Sequence, residues 1–407
     1  MAPSILYFAQ FGTGGAKLSP CPDVQEQRRT PTEEPRKDRP GAPLASNALW
    51  RQLPRLRRKQ DRLSIPMKRQ PQKGLSVKVR PSLPSEDEIL RKVRRSAPVR
   101  NPRAGLHLGI GDDAALLSPR KGFQTVLTCD WFLEGTHFLR GKHPPEAVGW
   151  KCLARAVSDI AAMGAKPRCF LLSLALPPTH TGAWLDAFLS GLRRAQSKLG
   201  CVLAGGDTTK SERILIQVTV IGEVRSRKAV QRSGAGPGDV VFVSGRLGEA
   251  ELGLRHLLRQ KRVDPGDPRL RKHLYPEPRL ALGSWLAENR LATAMMDLSD
   301  GLSTDLARLC AASRVGARIE TARLPLPPAP AGIGLRPSEL ALHGGDDYEL
   351  LFTVSQAKCG SIPKRFRAVP LTAIGAITRE TGVRVVDAES GERSLRIGGW
   401  DPFRRRR

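Results

Sequence analysis

The chain has 407 residues, with 67 Lys and Arg against 39 Asp and Glu, a formal charge of +28, 40% hydrophobic and 5% aromatic residues. That length allows two or three domains with a proper core, and no run approaches the roughly 20 apolar residues of a membrane-spanning helix. The first residues lack a basic leader and a long apolar stretch, and the 7 cysteines form no C-x-x-C pair, which argues against a secretory signal, a disulfide framework and a zinc knuckle and for a reducing, cytoplasmic setting.

Residues 1–85 hold 17 Lys and Arg, 6 Asp and Glu and 12 of the 33 prolines. With no lasting apolar period they cannot bury enough surface to offset chain entropy, so a disordered, basic, proline-rich extension is expected. Its cluster Arg55, Arg57, Arg58, Lys59 and Arg62 could touch nucleic acid or anionic lipid, though a solvated tail is the simpler reading. Initiation at Met67 would remove most of this segment.

From Ser85 the texture changes. Ser85, Glu86, Asp87 and Glu88 before Ile89, Leu90 and Val93 predict a capped helix start. Apolar runs at 125–128, 169–176, 202–204 and 214–221 predict strands, and 145–163 and 182–199 predict helices. The second helix carries Trp184, Phe188, Leu192 and Leu199 on one face and stops at Gly200. Gly234, Gly236, Pro237 and Gly238 then mark a break. Beyond it the pattern predicts strands at 240–243, 294–296, 317–319, 350–354 and 372–377, and helices at 249–259, 279–288 and 301–312, with a proline loop at 325–330. Two α/β domains, 86–230 and 231–407, are the economical reading.

The acids of this basic chain fall at glycine- or serine-marked turns beside the apolar runs. These are Gly111-Asp112-Asp113, Thr128-Cys129-Asp130, Ser158-Asp159, Gly205-Gly206-Asp207-Thr208-Thr209, Asp297-Leu298-Ser299-Asp300-Gly301, Ser303-Thr304-Asp305 and Gly344-Gly345-Asp346-Asp347. Any one of them alone reads as a turn or helix cap. Asp159 stands out because its apolar neighbours make an unpaired carboxylate costly to bury. Gathered carboxylates repel and rise in pKa unless cations neutralise them. Hard oxygen ligands beside glycine backbone suit magnesium and phosphate, so the set reads as a site for a magnesium–nucleotide complex. Gly12-Thr13-Gly14-Gly15-Ala16-Lys17 lacks the ending of a P-loop.

Six motifs occur in one order: Gly109-Ile110-Gly111-Asp112-Asp113, Asp130 with Glu134-Gly135-Thr136-His137-Phe138, the segment 157–165, Gly205-Gly206-Asp207-Thr208-Thr209, Asp297-Leu298-Ser299-Asp300-Gly301 and Gly344-Gly345-Asp346-Asp347-Tyr348-Glu349-Leu350. Over residues 86–403 the chain thereby resembles the thiamine-monophosphate kinase family, within the aminoimidazole ribonucleotide synthetase superfamily. The resemblance implies a two-domain α/β (α+β) fold whose first domain forms a homodimer through a β-barrel-like interface. It also implies ATP-dependent phosphorylation of thiamine phosphate to thiamine diphosphate, assisted by several Mg2+ ions. The family's magnesium positions correspond to Asp113, Thr128, Cys129, Asp130, Asp159, Asp207, Asp300 and Asp305. Its ATP contacts fall on Gly206, Asp207, Arg232 and Thr304, and its thiamine contacts on His137, Asp346 and Trp400, with Asp130 and Asp207 expected to be essential for turnover. Cys129 stands where threonine is common, Asp346 is one methylene shorter than the usual Glu, and Lys210 replaces an Arg.

Two rivals follow from other features. Selenophosphate synthetases and a hydrogenase maturation protein share the implied scaffold but use a functional cysteine, whereas the last cysteine here is Cys359. A nucleic-acid-binding protein would interleave its basic residues with aromatics, and this chain is poor in aromatics.

Overall fold

The structure, a computed structural model, describes residues 86–95, 101, 105–108, 115–328, 336–388, 391–401 and 403. The expected basic extension, Asp113 and the C-terminal Arg run lie outside the described residues.

Helix α1 (Glu86–Arg94) comes first, followed by the paired short strands β1 (Leu106–Leu108) and β2 (Leu116–Leu117). Next are β3 (Phe123–Leu133), α2 (Pro145–Ala162), β4 (Lys166–Leu176), α3 (Ala183–Leu199), β5 (Val202–Lys210) and β6 (Leu215–Arg225). Four of these strands form one sheet in the order β3-β6-β4-β5, with β4 and β5 parallel and the other pairs antiparallel. Helices α2 and α3 pack together. Thr128, Asp130 and Phe132 alternate with the more exposed Leu127, Cys129 and Trp131 along β3, as period-two side chains must.

The rest of the chain runs β7 (Val240–Ser244), α4 (Glu249–Arg259), α5 (Arg271–Leu274), α6 (Leu280–Glu288), β8 (Ala292–Leu298), α7 (Leu302–Ser313) and β9 (Gly316–Glu320). It ends with α8 (Pro337–His343), β10 (Glu349–Val354), β11 (Arg365–Phe366), β12 (Val369–Thr378), β13 (Gly382–Asp387) and β14 (Gly391–Ser394). The second sheet has the order β14-β13-β9-β12-β7-β10-β8, with β11 on β12. Strand β10 is buried along its whole length, its apolar Leu350, Leu351, Phe352 and Val354 in the core and its buried Glu349 and Thr353 hydrogen-bonded to Arg279 and Ala294 N–H.

Helix α2 is the hinge of the architecture. Thirteen of its eighteen residues are buried, which is what a helix apolar nearly all round must do. It packs on β3 and β6, on α3, and on α6 and β8 of the second half. Proline at its first turn fits because the N–H that proline lacks would have no helical partner there. Gly164, with φ +69°, turns the chain out after it.

Two expected turns are strands. Thr128-Cys129-Asp130 lies in the middle of β3, and Gly205-Gly206-Asp207-Thr208-Thr209 forms most of β5. Glycine still matters at Gly206, where φ is +153° and a Cβ would stand 1.8 Å from the Leu172 carbonyl oxygen. Among the described residues no helix is long and apolar enough to cross a membrane.

Candidate active site

Helix α2 presents Lys151, Arg155 and Asp159 at intervals of four residues, which places them on one stripe. Opposite them stand Thr128 and Asp130 from β3. From the second half come Asp297 at the end of β8, the turn Ser299-Asp300-Gly301, and Asp346 and Tyr348 from the segment before β10.

The acids repel one another. Burial pushes the Asp130 carboxyl up to about 6; Arg155 opposes the rise, and Asp159, Asp300 and Asp346 add to it. Burial likewise raises Asp159, against the Thr128 hydroxyl, which donates to its Oδ2 at 2.5 Å, and against Arg232. Asp297 is raised well above the ordinary range by burial and then by Asp159. Carboxylates that resist ionisation together are short of positive charge.

Asp305 has a different task. It is fully buried, and its Oδ2 accepts the N–H groups of Ser299, Asp300 and Gly301 at 3.1, 3.0 and 3.1 Å. Its Oδ1 accepts from Arg308, which also binds Asp300 at 2.5 Å. Burial, then Asp300, brings the Asp305 carboxyl up to about 7. Both its oxygens are engaged within the protein, so this residue shapes the turn that carries Asp300. The C-terminal segment seals that turn. Trp400 N–H donates to the Asp300 carbonyl, and a Cβ on Gly399 would meet that same oxygen at 2.1 Å.

Asp346 is held by named partners. Lys151, with 1% side-chain exposure, donates to its Oδ2 at 2.8 Å, and the Tyr348 hydroxyl donates to its Oδ1 at 2.7 Å. Burial works to raise this carboxyl, but Lys151, His273 and Arg155 prevail and hold it far below the usual carboxylate range. The backbone is bent to suit, with φ of +68° at Asp346 and +50° at Tyr348. Non-glycine residues enter that region only where the surroundings compel it. The backbone N–H groups of both donate across to Ser299 and Leu298 carbonyls.

Histidines line the same wall. His137 Nδ1 accepts from the Leu133 N–H at 3.0 Å, and burial, aided by Arg155, takes the imidazole down to about 4. It is therefore neutral at pH 7, with its proton on Nε2 free to donate. His143 Nδ1 similarly accepts from Leu139 N–H, so its Nε2–H donates to His273 Nε2 at 3.0 Å. That pair packs behind Lys151; with Nε2 accepting, His273 Nδ1 carries the ring proton, so Nδ1 and the Lys151 Nζ, 3.3 Å apart, are two donors beside Asp346 Oδ2.

The other expected residues are placed as follows. The Cys129 side chain lies on the opposite face of β3 from Asp130 and accepts from Gln217 Nε2 at 2.6 Å, so its thiol does not join the acids. Asp207 shares a row with Ser173, Gln217 and Trp131 on the outer face of the first sheet, three strands from β3. Its own chain does not bring it to Asp130. Arg232 is exposed and lies within electrostatic reach of Asp159. Thr304 Oγ1 is buried without a hydrogen-bond partner.

Lys151, Arg155, His143, His273 and Tyr348 were not among the expected site residues. For two of them a signal existed: charged residues four apart, in step with Asp159, on a helix otherwise apolar. The donors present suit magnesium, being hard carboxylate oxygens short of positive charge beside a hydroxyl. Among the described residues no three His, Cys, Asp or Glu side chains are gathered so as to hold a metal by themselves. Magnesium typically needs only one or two carboxylates, completing its shell with water and substrate phosphates.

Both halves of the chain match known proteins. Residues 111–224 match the N-terminal domain model of AIR synthase related proteins, and residues 236–388 match the C-terminal domain model. Thiamine-monophosphate kinase of Synechococcus elongatus is 40% identical over 252 residues, which is 60% of this chain and 76% of that relative. The crystal structure of thiamine-monophosphate kinase from Stenotrophomonas maltophilia superposes with TM-score 0.64 at 36% identity, covering 74% of this chain and 94% of that one. A structure described as AaThiL complexed with AMPPCP and TMP superposes with TM-score 0.62 at 34% identity, over 76% and 94% of the two chains.

Proposed function

Because the chain belongs to the thiamine-monophosphate kinase family, we propose that it transfers the terminal phosphoryl group of ATP to thiamine monophosphate, giving thiamine diphosphate. One observation carries the reading: Asp130, Asp159, Asp297 and Asp300 converge from both halves of the fold, each half supplying acids that the other repels. Asp130, Asp159 and Asp300 would hold magnesium, with Thr128 beside them. When bound, that metal supplies the charge that lets two polyanions meet.

The chain's own residues supply position. His137 offers a neutral Nε2–H, and Asp346 offers a carboxylate locked by Lys151 and Tyr348. Trp400 crosses the Asp300 turn, where a flat ring suits a cationic heterocycle. Thr304, with its unpartnered hydroxyl, Arg232 beside Asp159, and Gly206 with Asp207 would contact the nucleotide. The acceptor phosphate has a second pKa near 6, so it is already a dianion at neutral pH and needs no strong general base.

Asp207 enters this scheme through a second copy of the chain. Strand β3 pairs only with β6, and β5 only with β4, so among the described residues both edges of the first sheet are free. Its outer face exposes Leu127 (68%) and Trp131 (55%). Closing two such sheets edge to edge would abolish the edges, cover those side chains, and set the strand that carries Asp207 of the partner subunit beside the strand that carries Asp130. The cytoplasm is the setting this reading calls for.

A coupled assay for thiamine diphosphate tests the activity. Product should form from ATP, magnesium and thiamine monophosphate, with free thiamine giving none. Equal use of both acceptors, or of neither, would overturn it.

A further inference from the structure

Arg155 is the one side chain on the α2 stripe whose charge is not committed to a hydrogen bond. Lys151 is committed to Asp346, and Arg308 on α7 to Asp300 and Asp305. Arg155 instead lies over the Phe132 ring, its guanidinium carbon 5.2 Å from the centroid, and its Nε and Nη1 are buried without a hydrogen-bond partner. The residue as a whole is only half-buried, so one edge of the guanidinium still reaches open space. Tyr348, Asp130, Asp346 and Asp300 all act on it electrostatically, yet none of them bonds to it.

A guanidinium presents a rigid fork of donors matched to carboxylate or phosphate. Leaving part of that fork dry and unbonded is unfavourable unless an anion arrives to use it. The position narrows which anion. Arg155 lies within reach of His137 and Asp346 on the acceptor side and of Asp130 and Asp300 on the metal side. A phosphate bound there would sit between the two groups without breaking any bond that Arg155 now makes.

We propose that Arg155 receives the phosphate of the thiamine monophosphate acceptor, and so distinguishes the phosphorylated vitamin from free thiamine. This rests on the activity proposed above. Its contribution is to hold the acceptor dianion beside the acids that would carry magnesium. The neutral Nε2–H of His137 stands on the same side to orient the rest of that ligand.

Titration calorimetry of the full chain with thiamine monophosphate and with thiamine tests the assignment, using the unaltered protein, Arg155→Gln and Arg155→Lys. The unaltered protein should prefer the phosphorylated ligand. Arg155→Gln should weaken thiamine monophosphate by about 10- to 100-fold, with thiamine binding unchanged within about twofold and KM for ATP little altered. Arg155→Lys should recover part of the loss, since it keeps the charge but not the fork. If Arg155→Gln fails to fold, a loss in Arg155→Lys confined to thiamine monophosphate supports the assignment in its place. Equal weakening of both ligands, or of neither, overturns it while the activity of the unaltered protein stands. Absence of thiamine diphosphate from the unaltered protein would instead remove the reading on which it rests.

Discussion

Asp130 shows how a buried carboxylate strains the fold that holds it. Its ordinary pKa of 3.8 is pushed up to about 6 by burial, with Arg155 opposing and neighbouring acids adding. Between those two values the folded chain keeps a proton that the unfolded chain has released. Stability therefore falls as pH rises through that window, and above it the folded state carries the whole penalty. Without magnesium or nucleotide, Asp130→Asn should melt higher than its parent at pH 7.5, by up to about 3 kcal/mol. The gain should shrink below pH 6 and vanish near 4. The same variant should lose turnover by roughly 100-fold or more, and its melting temperature should no longer respond to magnesium–nucleotide. Thermal melts across pH check the first part, and a variant melting below its parent at pH 7.5 would contradict it. The gathering of Asp130, Asp159 and Asp300 was legible as acids set at marked turns, Asp159 standing out by its apolar neighbours. Lys151 was not, since what makes a buried ammonium tolerable is Asp346, 195 residues away.

Among elements, α2 carries the most consequence, and its place depends on two glycines. A Cβ on Gly149 would lie 2.0 Å from the Phe188 carbonyl oxygen, and one on Gly191 would lie 1.9 Å from that of Glu146. The backbones of α2 and α3 thus touch where neither helix has a side chain. Because the obstacle is backbone and not a flexible side-chain tip, Gly149→Ala must push the helices apart. It should destabilise the chain by about 1–3 kcal/mol and lower activity through the stripe bearing Lys151, Arg155 and Asp159. Gly141→Ala, which meets nothing within 4 Å, should change stability by less than about 0.5 kcal/mol. Urea denaturation compares the two. Both helices were readable from apolar spacing, and α3 ends at Gly200 as that spacing predicts. Strand β5 was readable only at its apolar start, 202–204, because the glycines that follow have the local look of a turn. Pairing with β4 overrides them, and pairing is a property of the sheet.

At the scale of the whole molecule, one chain keeps Asp207 apart from Asp130. Asp207 and Asp130 stand on opposite edge strands and opposite faces of the first sheet, so a site needing both requires two copies. If they act across subunits, Asp130→Ala and Asp207→Ala should each be inactive alone yet complement when mixed. A mixed dimer would hold one site carrying both changes and one carrying neither. Random exchange makes half the dimers mixed, so activity should return to about a quarter of the unaltered value. The surface itself gives the companion test. Trp131→Glu puts a charge on the exposed face that association would bury, so it should sediment as a monomer with its circular dichroism unchanged and its turnover lost. A folded, monomeric Trp131→Glu protein with full activity would mean that Asp207 has no part across subunits. Mixed inactive variants that stay inactive after subunit exchange would mean the same. The two measurements bear on the pairing from independent sides, since one adds a missing carboxylate to an intact dimer and the other removes the dimer from an intact set of carboxylates.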